Sequence, residues 1–73
     1  MRITKVKPNS LAEQIDLKPG DRLLKINGKK VVDDIDYRYK ITDELVNLEI
    51  EINGERHHFE VEKEYDDDLG VEF

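Results

Sequence analysis

The sequence predicts a small α+β domain, in which a bent antiparallel sheet of about five strands packs with two helices. Three observations predict this class. A capping box opens a short helix near the N-terminus, an amphipathic segment follows at residues 34–43, and two alternating segments flank Asn53-Gly54 as the strands of a hairpin would. With 73 residues, the chain is long enough for one domain with a modest core.

The N-terminal segment predicts a strand followed by a capped helix. Residues 3–6 alternate between apolar and polar, which favours a short strand that ends before Pro8. In the capping box the Ser10 hydroxyl accepts from the Glu13 amide, and the Glu13 carboxylate reaches back to the Ser10 amide. A helix is therefore expected over residues 11–15.

Two further strands are predicted, one on each side of the turn dipeptide Asn27-Gly28, and the second helix follows them. Residues 23–26 favour a strand that ends at the turn dipeptide Asn27-Gly28, and Val31-Val32 continue as a brief extended piece. Asp33 and Asp34 are suitable N-caps for a helix over residues 34–43.

The apolar side chains of that second helix fall into two stripes. At 100° per residue, Ile35 and Tyr39 share one face. A second stripe, turned well away from the first, consists of Tyr37, Ile41 and Leu45. One stripe can face the core. The other is expected to line a groove or to stay partly exposed, unless the domain wraps both stripes in its own sheet.

The hairpin around Asn53-Gly54 is specified by its turn and by its pairing. A two-residue turn fixes the register of the flanking strands. The expected pairs on the buried face are Ile52 with Glu55, Ile50 with His57, Leu48 with Phe59 and Val46 with Val61. The pairs expected on the other face are Glu51 with Arg56, Glu49 with His58 and Asn47 with Glu60.

The C-terminal residues predict a last strand with a binding function. Leu69, Val71 and Phe73 alternate as a strand over residues 69–73 would. Successive amides around Gly70 can face an anion, and an open strand edge can accept an extended peptide. The helix stripe of Ile35 and Tyr39 would supply the other groove wall. The equally open alternative is a strand with a bulge at Gly70.

Composition excludes several function classes. The chain has no Cys and only two His, and His57 and His58 point to opposite faces of a strand, so no metal site and no cofactor are expected. Residues 1–48 carry 10 basic and 8 acidic side chains (net +2), and residues 49–73 carry 2 and 10 (net −8). The overall charge of −6 argues against nucleic acid and anionic membranes as partners. No catalytic constellation is found, so we expect a non-enzymatic segment.

Residues 6–12 and 17–28 resemble the signature of PDZ domains. They carry the patterns P-x-S-x-A and L-x-P-G-D-x-[LI]-[LI]-x-[IV]-N-G, with Asp16 where bacterial relatives usually have Gly. The only match to the G-L-G-F loop of metazoan members is Asp68-Leu69-Gly70-Val71 at the C-terminus. The resemblance therefore implies a circularly permuted PDZ-like fold of the bacterial type.

The resemblance also implies a peptide-binding groove between residues 69–73 and the helix at 34–43. By position, its residues would be Leu69, Gly70, Val71, Phe73, Ile35 and Tyr39, and the amides of Leu69, Gly70 and Val71 would bind a carboxylate. The acidic run Asp66-Asp67-Asp68 opposes a ligand carboxylate, because like charges repel. An internal segment, a basic partner or a neighbouring domain of the same chain therefore stay open as ligands.

The whole chain is similar to the N-terminal PDZ-like domain of uncharacterised clostridial proteins in which a radical-SAM-type Fe–S domain follows. This similarity implies that residues 1–73 form a single, monomeric domain at the N-terminus of a longer cytoplasmic protein. The alternative function is then a structural or regulatory domain of a radical-SAM-like enzyme, which docks on its own chain and has no independent ligand.

Overall fold

The computed structural model describes all residues, 1–73, and contains six strands and two helices. In chain order the elements are β1 (Lys5–Val6), α1 (Leu11–Gln14), β2 (Arg22–Ile26), β3 (Lys29–Lys30), α2 (Asp34–Lys40), β4 (Leu45–Ile52), β5 (Glu55–Glu62) and β6 (Val71–Glu72). The predicted α+β class with two helices is confirmed. The brief strand after Asn27-Gly28 is β3 rather than Val31-Val32, because the two-residue turn pairs Ile26 directly with Lys29.

The strands form two antiparallel sheets. A four-stranded sheet has the order β3-β2-β4-β5, and β1 pairs with β6 in a two-stranded sheet. A single bridge between Arg2 and Arg22 connects the N-terminal segment to the larger sheet. The β1–β6 pair thus holds the two ends of the chain side by side.

The β4–β5 hairpin has the predicted register at every position. Eight pairs run from Ile52↔Glu55 at the turn to Leu45↔Glu62 at the open end. The His57 side chain lies on the face shared with Ile50 but is 44% exposed, because it is close to the turn, and its ring stacks on Phe59 with centroids 6.5 Å apart. Turn geometry and alternation are therefore sufficient to define this region.

Helix α1 has the predicted cap with one change of partner. The Ser10 hydroxyl accepts from the Glu13 amide at 3.2 Å, as expected. The Glu13 carboxylate accepts from the Asn9 amide at 3.1 Å instead of the Ser10 amide. The helix ends at Gln14, and Ile15 is its C-cap.

Helix α2 begins at Asp34 as predicted, but it ends at Lys40 and not at residue 43. After Ile41 the chain turns into β4: the Thr42 hydroxyl donates to the Tyr39 carbonyl at 2.7 Å, and the Asp43 carboxylate accepts from the Glu44 amide at 2.8 Å. Thr and Asp side chains compete with helical hydrogen bonds in this way, which explains the early end.

The core lies between the larger sheet and the two helices. Its fully buried side chains include Leu23, Ile26, Leu48, Ile50 and Val46, which come from β2 and β4. Leu69 belongs to the same cluster and has no exposed surface, although it precedes the last strand. The predicted strand over residues 69–73 is therefore regular only at Val71–Glu72, while Leu69 serves as a core residue.

Candidate peptide-binding site

The segment Asp68-Leu69-Gly70, called the loop below, lies against both helices. The Leu69 amide donates to the Tyr37 hydroxyl on α2 at 3.1 Å, in a buried position. The Leu69 carbonyl accepts from the Ala12 amide on α1 at 2.9 Å. Leu69 is thus held through its side chain, its amide and its carbonyl.

Gly70 is required by both its backbone conformation and its surroundings. Its φ is +80°, and a Cβ there would lie 2.4 Å from Ser10 Cβ. Its amide donates to Asp68 Oδ1 at 2.8 Å, and its carbonyl accepts from the Lys7 amide at 2.9 Å. The loop therefore approaches the first turn of α1 so closely that only a residue without a side chain fits.

Tyr37 connects α2 to the loop and to the C-terminal residue. It is 5% exposed, and its ring meets that of Phe73 edge to face, with centroids 5.0 Å apart. Burial raises the pKa of Tyr37 to about 12, the charges of Asp68 and Asp34 act in the same direction, and the hydrogen bond from the Leu69 amide opposes them. The hydroxyl is therefore neutral at physiological pH and is flanked by two carboxylates.

Strand β6 has one partner strand and one free edge. Val6 lies opposite Val71, and the Lys7 amide donates to the Gly70 carbonyl, so Val6 and Val71 form a pair without mutual hydrogen bonds. In an antiparallel ladder the N–H and C=O of such a residue point away from the partner strand. Val71 therefore presents its backbone donor and acceptor along the free edge.

The predicted site residues come together only in part. Leu69, Gly70, Val71 and Phe73 form one continuous segment beside Tyr37. Ile35 and Tyr39 are 80% and 81% exposed, and each is two residues from Tyr37, hence about 160° away around the helix. Tyr39 instead lines a cleft of about 350 Å³ whose walls include Ile26, Lys29 and Tyr65.

The sequence left open which stripe of α2 faces the core, and Tyr37 was not placed in the site. In the structure Tyr37 and Ile41 are buried, whereas Leu45 begins β4 and is 43% exposed. The overlooked signal was the hydroxyl, because a buried tyrosine usually finds a hydrogen-bond partner for its oxygen. The partner, Leu69, is 32 positions away and cannot be identified from local pattern.

The side of α2 next to β3 is occupied by an internal ion pair. The Asp36 carboxylate accepts from the Lys40 ammonium and from the Val32 amide, and these contacts hold the pKa of Asp36 below its ordinary value. The Lys40 ammonium also donates to the Lys30 carbonyl at 2.9 Å. This side of the helix is therefore already bonded within the domain.

The structure shows no group of three or more His, Asp or Glu side chains arranged to hold a metal ion. None of its helices combines the length and the apolar character needed to cross a membrane.

Two short helices thus pack on antiparallel sheets, and a loop with Gly70 precedes a strand that has a free edge. The family model of the PDZ domain matches residues 2–52, which include both helices and β1 to β4. The chain therefore belongs to the PDZ domain family, whose members generally mediate protein or peptide interactions and are generally not catalytic. The loop and β6 lie beyond the matched residues. A search of curated proteins finds no match.

Proposed function

We propose that this PDZ domain binds an extended protein segment by strand addition to the free edge of β6. The observation that carries the proposal is the orientation of Val71, whose N–H and C=O face away from β1. An incoming strand would form main-chain hydrogen bonds there, as in other domains that recognise peptides by strand addition.

The remaining site residues have separate parts in this proposal. Phe73 is half-buried against Tyr37 and offers an apolar surface at the end of the edge. Leu69 and Gly70 fix the direction in which β6 leaves the loop, through their bonds to Tyr37 and Lys7. The exposed Ile35 and Tyr39 extend the contact surface along α2 to parts of the partner outside the paired strand.

The position of the loop supports a circularly permuted strand order. The loop precedes β6, and β6 pairs with β1, the first strand of the chain. In the PDZ pattern that places the loop near the N-terminus, these two strands would be consecutive along the chain. The contact between the Lys7 amide and the Gly70 carbonyl would then lie within one hairpin.

A second candidate function is docking onto a neighbouring domain of the same chain, as in the radical-SAM-like proteins that the sequence resembles. The observation that favours it is the set of exposed apolar side chains on and beside α2, which comprises Val32, Ile35 and Tyr39. Side chains of this kind in contiguous positions often mark an interaction surface.

An NMR titration of the ¹⁵N-labelled domain with a library of extended peptides tests the first function. Strand addition predicts shifts centred on Val71 and Phe73. The variant Val71→Pro removes the outward N–H and should abolish these shifts, whereas Val71→Ala shortens the side chain but keeps the N–H and serves as the matched control. If no peptide shifts the β6 amides, strand addition is wrong. Docking would be favoured if the spectrum of a longer chain, which includes a neighbouring domain, differed from that of residues 1–73 only at Ile35 and Tyr39.

A further inference from the structure

We infer that the domain supplies its own acceptors to the Leu69 and Gly70 amides, namely the Tyr37 hydroxyl and the Asp68 carboxylate. The site therefore rejects a free C-terminal carboxylate and takes an internal extended segment. This inference rests on the proposed strand addition and names the class of partner. Its ligand-independent part, the occupation of the loop amides, can be tested on the domain alone.

Two of the three amides predicted for the carboxylate site, those of Leu69 and Gly70, are engaged within the domain, and only the Val71 amide is free. The Leu69 amide donates to Tyr37 Oη at 3.1 Å, and the Gly70 amide donates to Asp68 Oδ1 at 2.8 Å. Each backbone N–H is a single donor, and both distances fall in the usual range for an N–H···O bond. A carboxylate would have to displace Tyr37 Oη to bond the Leu69 amide, and Asp68 Oδ1 to bond the Gly70 amide.

Displacing Tyr37 is unfavourable because its side chain is buried. The ring is 5% exposed and packs against Phe73, so a rotation that moved the hydroxyl would disrupt that contact. The loop cannot move away instead, because the Leu69 and Gly70 carbonyls accept from the Ala12 and Lys7 amides. The acceptor and the donor are therefore fixed relative to each other by separate parts of the fold.

The charges around the loop act against an anion in the same way. The Asp68 carboxylate lies 2.8 Å from the Gly70 amide, and after burial the charges of Asp68 and Asp34 help to raise the pKa of Tyr37, because they disfavour a negative charge at its hydroxyl. A ligand carboxylate bound to the Leu69 amide would stand at nearly the same place and would meet the same repulsion. An internal segment brings no terminal charge and avoids it.

What remains open to a partner is the strand edge. Val71 directs its N–H and C=O outward, and neither is used by β1. Main-chain pairing at this point does not require a chain end. A segment from the middle of a partner can therefore occupy the edge and continue past the loop.

Acetate is the probe for the loop amides. The double variant Tyr37→Phe with Asp68→Ala removes both internal acceptors, and Tyr65→Phe with Asp67→Ala is the matched control with the same loss of one hydroxyl and one carboxylate. In ¹H–¹⁵N spectra, the wild-type and control proteins should show no saturable acetate shift at Leu69 and Gly70, and the double variant should show one. A saturable shift in the wild type, or none in the double variant, would overturn the inference.

Hydrogen exchange keeps the test decisive if the double variant does not fold. The single variant Tyr37→Phe should exchange its Leu69 amide at least about tenfold faster than wild type, relative to the amides of β4, since the bond to the hydroxyl is lost. An unchanged relative rate would contradict the inference.

A pair of peptides separates this inference from the proposed function. Any peptide that shifts the β6 amides is compared as its C-terminal acid and its carboxamide. Equal affinities, within about twofold, are expected for the wild type, and a tenfold preference for the acid would overturn the inference. If no peptide binds at all, strand addition fails, while the acetate and exchange results still decide whether the loop is occupied.

Discussion

The β4–β5 hairpin and the loop before β6 each contain a glycine with positive φ, but glycine is required at the two positions for different reasons. Gly54 has φ +82° and open space where a Cβ would be. Gly70 has φ +80°, and a Cβ on this residue would lie 2.4 Å from the Cβ of Ser10. The hairpin turn therefore needs glycine for its own backbone, whereas the loop also needs it because a distant part of the chain packs there.

The same contrast extends to hydrogen bonds. The hairpin pairs residues in a regular ladder that continues from the turn. The loop is held by Ala12, Lys7 and Tyr37, which belong to three different segments. A local change should therefore stay local in the hairpin and should spread through the domain when it is made in the loop.

The largest expected effect is that of Leu69→Ala. Removing a fully buried leucine should lower the free energy of unfolding by about 2–5 kcal/mol, because transfer and cavity terms add. The matched change Leu45→Ala in β4 removes a side chain that is 43% exposed and should reduce stability by less than about 1 kcal/mol. Urea unfolding measures both, and equal losses would contradict the assignment of Leu69 to the core.

Next in size is the difference between Gly70→Ala and Gly54→Ala. Both substitutions place an alanine at positive φ, which destabilises by about 1 kcal/mol. Only Gly70→Ala also forces a Cβ against Ser10, which should add about 1–3 kcal/mol. Thermal unfolding of the two variants gives the difference directly. If Gly54→Ala were the more damaging change, the close approach at Ser10 would be wrong.

The hydroxyl of Tyr37 should contribute about 1–2 kcal/mol to the free energy of unfolding, because its removal leaves the buried Leu69 amide without an acceptor. Tyr37→Phe is the variant, and Tyr39→Phe, at a side chain that is 81% exposed, should have no measurable effect. Chemical denaturation at neutral pH distinguishes them, and equal stability of the two variants would show that the bond to Leu69 contributes nothing.

The raised pKa of Tyr37 gives this comparison a pH dependence. The pKa of Tyr37 is about 12 in the folded protein, above the ordinary value of 10.0. The contribution of the hydroxyl to the free energy of unfolding is therefore complete below pH 10 and declines as the pH rises toward 12. The stability advantage of wild type over Tyr37→Phe should therefore shrink across that range. An advantage that stayed constant up to pH 12 would contradict the burial of the hydroxyl.

The smallest effect is expected on the outer face of the hairpin. Arg56 lies 3.6 Å from the Glu49 carboxylate, but its side chain is 67% exposed. Arg56→Ala should change the free energy of unfolding by less than about 1 kcal/mol, because water and salt screen the exposed guanidinium and Lys25 remains 3.8 Å from the largely buried Glu49 carboxylate. Added salt should reduce the difference further, and a loss of several kcal/mol would show that the pair is much better shielded than its exposure indicates.

Sequence pattern was sufficient for the hairpin and for the start of α1. The hairpin register followed from Asn53-Gly54 and strict alternation, and the start of α1 followed from Ser10 and Glu13. It was insufficient for the end of α2, since Thr42 and Asp43 bond to nearby backbone groups in a way that residue spacing does not reveal. The candidate site was predicted at Leu69, Gly70, Val71 and Phe73 together with Ile35 and Tyr39, which are exposed and lie on the other side of α2 from Tyr37. Tyr37 itself was not predicted to belong to it.

The sequence by itself determined both helix starts, the hairpin register and the family pattern of this PDZ domain, because these depend on turn dipeptides, capping residues and periodicity within a few positions. Only the tertiary structure decided which stripe of α2 is buried and where the Tyr37 hydroxyl finds its donor. That donor, the Leu69 amide, comes from the far end of the chain. A backbone group is present at every residue, so only the path of the folded chain selects the one that is used.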